Sequence, residues 1–305
     1  MWHRMRIFVA GATGYVGSAV VRNLLDAGHE VVGLARSEAS AAALTGIGVA
    51  AHRGDIEDLE SLRSAAATAD GVIYAANKHI SETTDPAARA KAELNAVEAI
   101  GAQLEGTGKG FVVTSGVIGR TPGVLLTEET PAAPNSISAL RLPVETTVLA
   151  LRERGVRSSS VRLAPTVHGH GDARGFISML IGIAREKGVS AFVGEGSNRW
   201  PAVHRLDAAS LFRLAVESAP AGAALHAVAE EGVPFLEIAE AIARQLGLPT
   251  VSLTPEQAAE HFSFLAPIVA LDGPTSSTLT RERLGWTPTQ PTLIADIEEG
   301  HYFKS

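Results

Sequence analysis

Glycines at positions 11, 14 and 17 close the run Arg6-Ile7-Phe8-Val9-Ala10-Gly11-Ala12-Thr13-Gly14-Tyr15-Val16-Gly17, a spacing that suits a turn built to receive a pyrophosphate. Gly11 takes the tight bend, Gly14 lets the backbone approach the phosphates, and Gly17 lets the next helix pack closely on the strand. The helix amino terminus adds unpaired N–H groups that favour an anion. A second group of residues selects the nucleotide. Glu30 to Ala35 reads as the next parallel strand, and an acidic side chain at its end would hold a ribose diol. The chain instead has Arg36-Ser37, a fixed cation and a hydroxyl placed for a 2′-phosphate. The coenzyme expected is therefore NADP(H), with Glu38 close enough to a ribose hydroxyl to leave NAD(H) open.

These residues need a frame, and the hydrophobic pattern supplies one. Val16, Val20 and Leu24, with Val21 and Leu25, recur at helical spacing after the glycine turn, and Gly28-His29 ends that helix. A short third strand ends at Asp55, a helix carries Leu59, Leu62 and Ala66, and Asp70 to Ala76 makes a fourth strand leading into the loop Asn77-Lys78-His79-Ile80. Asp85-Pro86 opens a long helix that runs to Gly101. Gly110 to Gly116 is a fifth strand, and Val156 to Leu163 a sixth that leads into Pro165 to Gly171. Such alternation predicts an α/β fold, a doubly wound parallel sheet covered on both faces.

In a sheet of this kind ligands bind beyond the carboxyl ends of the strands. Those ends carry Gly11 to Gly17, Arg36, Asp55, Asn77 to His79, Thr114 to Gly116 and Pro165 to His170. Past residue 170 the alternation loosens into a loop-rich section, 172–203, followed by a helix opened by Asp207, a strand at Ala224 to Val228 and a last helix at Pro234 to Leu246. The organisation expected is a nucleotide-binding domain at 1–170 plus about 204–230, with a small interwoven substrate lobe at about 171–203 and 231–305.

Composition narrows the partners. The net charge is −7 and the isoelectric point about 5.8, with no block of lysine or arginine, so the phosphate attraction that drives nucleic-acid binding is missing. There is no cysteine, hence no disulfide, thiolate nucleophile or cysteine-ligated metal. No apolar stretch is long enough to span a membrane, and Met1 to Arg6 leads straight into the first strand, so the expectation is a cytoplasmic protein with a small-molecule substrate. His168, His170 and His79 lack a carboxylate at helical spacing to complete a ligand set, and no metal is expected. Alanines at 87, 88, 90, 92, 96 and 99 allow the helices at 86–100 and 143–154 to pair with a second copy, which makes a homodimer the expected assembly.

Five runs together resemble the extended short-chain dehydrogenase/reductase superfamily across nearly the whole chain. They are Gly11 to Gly17, Gly54-Asp55-Ile56, Glu93-Leu94-Asn95-Ala96-Val97, Arg162-Leu163-Ala164-Pro165 with His168-Gly169-His170-Gly171, and Leu284-Gly285-Trp286-Thr287-Pro288. The resemblance implies a Rossmann domain with a small carboxy-terminal substrate lobe and Asp55 beside the adenine. The expected coenzyme contacts are Gly11, Thr13, Gly14, Tyr15, Val16, Gly17, Arg36, Ser37, Asp55, Ile56, Ala75, Asn77, Arg141, Pro165 and His168. The segments Arg174 to Ile177 and Asn198 to Ala209 look like a bacterial and fungal subgroup labelled epimerase/dehydratase-like.

The chain departs from the superfamily at its chemistry, which uses a Ser or Thr after the fifth strand and a Tyr four residues before a Lys. Gly116 falls at the usual hydroxyl position with Ser115 one residue early, Arg141 falls at the Lys position, and Ile137 at the Tyr position. The only tyrosines are Tyr15, Tyr74 and Tyr302, and none precedes a lysine by four. Pro143 requires the helix carrying this region to begin near Arg141. Candidates for the reacting oxygen are Ser115 as a polarising hydrogen bond, His168 as a proton donor near neutral pH, and Arg141 as a holder of hydroxyls whose pKa is too high for proton shuttling. The function expected is NADP(H)-dependent hydride transfer to or from a small carbonyl or alcohol. A non-catalytic NADP(H)-binding regulator is the competing reading, and a nucleotide-sugar epimerase or dehydratase ranks below it for want of the acid-base pair.

Overall fold

The computed structural model describes residues 4–77, 85–117, 124–131 and 139–304. Its centre is a seven-stranded parallel sheet made of β1 (Arg6–Ala10), β2 (Glu30–Ala35), β3 (Ala50–Arg53), β4 (Gly71–Tyr74), β5 (Gly110–Gly116), β6 (Arg157–Leu163) and β10 (Ala223–Ala227), in the order β10-β6-β5-β4-β1-β2-β3. Strand order reverses between β1 and β4, which opens a crevice at the carboxyl ends. The period-two rule divides the sheet's apolar residues between two cores. Ile7, Val9, Ile73, Val112 and Val161 face α1 (Tyr15–Asp26) and α7 (Arg205–Ser218), meeting Val20, Leu24 and Phe212. Phe8, Ala10, Val72, Tyr74, Phe111 and Val113 face the other way, toward α3 (Leu59–Thr68), α4 (Pro86–Leu104) and α5 (Leu142–Ala150).

A third core belongs to the carboxy-terminal half and gathers Ile177, Leu180, Trp200, Phe235, Ile238, Ile242, Leu293 and Ile297. Around it lie β9 (Arg199–His204), paired in parallel with β7 (Thr166–His168) and antiparallel with β11 (Glu230–Pro234), and a separate parallel pair of β8 (Ser190–Val193) and β12 (Thr250–Leu253). The section expected to be loop-rich, 172–203, thus holds α6 (Phe176–Lys187), β8 and β9. Short strands separated by glycines are masked in a periodicity reading because each buries residues against the third core on too short a stretch to show alternation.

Three further corrections are local. The helix expected to be the last, α8 (Phe235–Leu246), is followed by α9 (Pro255–Phe262), α10 (Ala266–Val269), α11 (Thr278–Leu284) and α12 (Leu293–Glu298). A helix that the strand pattern does not show, α2 (Glu38–Thr45), lies between β2 and β3 with Ser37 as its cap. α4 continues through Gly101 to Leu104, because a side chain there would meet Leu151 at 2.7 Å: the glycine marks close helix packing rather than a stop. α5 begins at Leu142 with Pro143 in its first turn, the late start that the proline demands. Among the described residues no helix is long and apolar enough to cross a membrane.

Candidate active site

The glycine turn has the geometry that its spacing foretold. Gly11 sits at φ +88°, where a side chain would be strained and would also strike the Ala75 backbone at 2.7 Å. α1 starts with Gly14 as its cap and has neither a side-chain cap nor an acidic residue in its first turn, so its leading N–H groups stay available to an anion. In front of them lies a cleft of about 390 Å³. Gly11, Thr13 and Gly14 line it together with Leu34, Arg36 and Ser40, and with Asp55, Ile56, Ala75, Ala76 and Asn77. That volume and lining suit an adenosine diphosphate moiety, so the residues present fit a dinucleotide.

Other expected contacts have different surroundings. The Ser37 hydroxyl accepts a hydrogen bond from the Ser40 N–H at 3.1 Å as the cap of α2, and it is Ser40 that lines the cleft. The spacing of two serines three apart was the available signal for a cap. Val16 packs into the core beside α7, and Gly17 is buried. The Tyr15 hydroxyl leaves the cleft and donates to the Gly169 carbonyl at 2.9 Å, with the Arg205 guanidinium over its ring. Pro165 lies in the link between β6 and β7. His79 and Ile137 lie outside the described residues.

The three candidates for chemistry divide into two places. Ser115, half-buried at the carboxyl end of β5, and Arg141, at the amino end of α5, line one small hollow with Thr114, Val144 and Glu145. His168 is elsewhere and fully buried: its Nδ1 donates to Asp296 at 3.0 Å, and its Nε2 has no partner among the described residues. Asp296 is a hub. Its two oxygens also accept from His301 Nε2 at 2.9 Å and from the Tyr302 hydroxyl at 3.2 Å. Tyr302 in turn accepts from the Gly169 N–H at 3.0 Å, so the backbone of Gly169 is held by two phenols, one at its N–H and one at its carbonyl. The carboxy-terminal turn is thereby linked through Gly169 to the dinucleotide turn, a bridge from residue 302 to residue 15 that no local pattern announces. Ligand atoms of Asp296, Glu299 and His301 come within 4.8 Å of one another, but both oxygens of Asp296 are already engaged.

Two groups of this cluster tie stability to pH. Burial holds the His204 imidazole below the usual histidine range, with His168 adding to the effect. Burial pushes the Asp296 carboxyl up, but hydrogen bonds from His168 and His301 outweigh it and leave the group below the ordinary aspartate range. Both are depressed in the folded chain, so each contributes stability above its unfolded pKa that is lost as pH falls. Urea midpoints should therefore decline on acidification below about pH 6.5, where an unfolded histidine takes up a proton that folded His204 refuses. A second decline should set in below about pH 4 as unfolded Asp296 protonates. His204→Gln should flatten the first step, and an unchanged profile would show that another group titrates there.

Sequence comparison supplies the family. A profile of the NAD dependent epimerase/dehydratase family matches residues 7–228, which run from the second residue of β1 through the glycine turn to the end of β10. The chain belongs to this family. An uncharacterized protein of Schizosaccharomyces pombe is 48% identical over 98% of this chain and 100% of its own length. The 2′-dehydrokanamycin reductase of Streptomyces kanamyceticus is 29% identical, covering 84% of this chain and 72% of that one. Among solved structures, the UDP-glucose 4-epimerase of Thermotoga maritima superposes with a TM-score of 0.77 at 19% identity, covering 98% of both chains, and so shares the fold. Membership in the epimerase/dehydratase family makes this an NAD(P)-dependent oxidoreductase of the extended short-chain dehydrogenase/reductase superfamily.

Proposed function

We propose that this family member transfers hydride between NADP(H) and a small carbonyl or alcohol substrate. The observation that carries the coenzyme choice is the basic rim where β2 and β3 end. Arg36 lines the cleft directly after β2, and the neighbouring β3 places Arg53 opposite Ala35 in register. Arg53 pairs with Glu38 at 2.9 Å, so the acid that left NAD(H) open is drawn to a cation. When bound, the nicotinamide supplies or accepts the hydride at the carbonyl carbon.

The chain's own residues handle the rest. Gly11, Gly14 and the first turn of α1 take the pyrophosphate, and Asp55 and Ile56 flank the adenine side of the cleft. Ser115 gives the reacting oxygen a hydrogen bond, and Arg141 adds a permanent positive charge to the hollow that Ser115 lines. His168 is fully buried against Asp296 and stands apart from the hollow that Ser115 and Arg141 line.

NADPH oxidation with a panel of aldehydes, ketones and imines tests the activity. Turnover supports a reductase; tight NADPH binding without turnover supports the regulator instead. Arg36→Glu should weaken NADPH by about 10-fold to 100-fold, the loss of a charged hydrogen bond to phosphate, while NADH binding changes far less. Equal losses for the two coenzymes would overturn the choice of NADP(H).

A further inference from the structure

A lysine and an arginine do not fill one position in the same way. An ammonium is a compact point charge that needs no particular orientation, whereas a guanidinium is a planar fork whose use depends on which edge faces the ligand. Arg141 is oriented by a residue from a different helix. Its Nε donates to Glu93 Oε2 at 2.9 Å, and its Nη2 donates both to the other oxygen of the same carboxylate and, at 3.0 Å, to the Thr114 carbonyl. These bonds engage one edge of the fork and leave the two N–H groups of Nη1 without a partner among the described residues. The two partners differ in exposure: the Glu93 side chain is 2% exposed and that of Arg141 is 32% exposed. The pair is thus buried at the carboxylate and open at the guanidinium.

Glu93 lies midway along α4, where a carboxylate ordinarily belongs to a solvated helix face. Buried there, it would be costly without its cation, so its placement demands a reason. Two buried hydroxyls adjoin the same fork without partners: Thr114 Oγ1, whose residue lines the hollow with Arg141 and Ser115, and the phenol of Tyr74, which feels both Glu93 and Arg141. Unsatisfied buried polar atoms around a half-used guanidinium mark a place where a polar group is received.

We infer that Glu93 is a positioning residue for the reaction: it turns Arg141 so that the Nη1 edge, at the carboxyl end of β5, meets an oxygen of the bound ligands. That oxygen is either a ribose hydroxyl of the coenzyme or the reacting oxygen of the substrate. The inference rests on the coenzyme-dependent reading given above and adds to it a residue that sequence order keeps 48 positions from its partner.

Glu93→Gln and Glu93→Asp test it, measured by fluorescence titration with NADPH and NADH and by steady-state turnover. If the Nη1 edge holds ribose, Glu93→Gln weakens both coenzymes by the same factor, about 10-fold or more, in contrast with the selective loss at Arg36. If it holds the reacting oxygen, coenzyme affinity stays and kcat falls by about 10-fold or more. In either case Glu93→Asp recovers part of the loss, because a shorter carboxylate still orients the fork. Should Glu93→Gln fail to fold, Arg141→Lys keeps a cation for the buried carboxylate while deleting the Nη1 edge, and reads the same two quantities. A folded variant of either kind with coenzyme affinities and kcat within about twofold of the parent protein sinks the inference. Absence of coenzyme binding by the unaltered protein would sink the functional reading itself, so the two failures are separable.

Discussion

Replacing Gly17 by alanine is expected to weaken NADPH and NADH together by about 100-fold while the protein still folds. The added Cβ would lie 1.9 Å from the Gly11 carbonyl oxygen and 2.8 Å from its carbon, so the glycine turn itself must move. Overpacking of this kind costs about 1–3 kcal/mol, and each 1.4 kcal/mol is tenfold in affinity. The displaced atoms are backbone on which the pyrophosphate depends, which is why the cost falls on binding. Gly14→Ala is the contrast, since its nearest neighbour is the same carbonyl oxygen at 3.2 Å and a shift of a few tenths of an ångström relieves it. Fluorescence titration of both variants decides the matter: Gly17→Ala binding coenzyme as tightly as Gly14→Ala would refute the placement of the pyrophosphate at this turn.

The largest loss of stability is expected from Arg162→Met. Arg162 is buried on β6, where its Nε donates to Glu145 at 2.7 Å and its Nη1 donates to the Glu128 carbonyl at 2.9 Å and to His226 Nε2 at 3.3 Å. Because arginine can only donate, His226 Nε2 must accept, and its Nδ1–H then donates to the Ser276 carbonyl at 2.7 Å. One guanidinium therefore fixes a histidine tautomer and joins the main sheet to the segments at 128 and 276. Methionine fills similar volume but takes away the guanidinium that neutralises the buried Glu145 carboxylate, a loss of about 3–5 kcal/mol in unfolding free energy. The double variant Arg162→Met, Glu145→Gln should recover much of it, because the neutral amide no longer carries that charge. Urea denaturation of the single and double variants measures both; no recovery would show that packing, not charge, dominates at this site.

How much was legible in the chain depends on how far apart the cooperating residues lie. The glycine turn, the cationic residue after β2 and Asp55 after β3 are each local to a strand end, and the parallel sheet carries all strand ends to one edge. Their convergence around a single cleft follows from strand order alone. Ser37 shows the opposite case, because a serine after a strand serves equally as a phosphate ligand and as a helix cap, and only the structure reveals that its hydroxyl accepts from the Ser40 N–H at 3.1 Å. Glu93 was legible only as part of a family-like run: an acidic residue in the middle of a helix reads as solvent-facing until its partner Arg141 is seen.

Residue type and spacing by themselves determined the α/β class, the dinucleotide turn and the absence of a tyrosine four residues before a lysine, because each depends on backbone freedom or on side chains within a few residues of one another. Tertiary packing alone decided that Arg141 is held by Glu93, that His168 is enclosed against Asp296, and that Tyr15 and Tyr302 bond the carbonyl and the N–H of Gly169. Burial and pairing of polar groups are set by what the fold brings against them from distant segments, and the free energy of a buried charge depends on those neighbours far more than on its place in the chain.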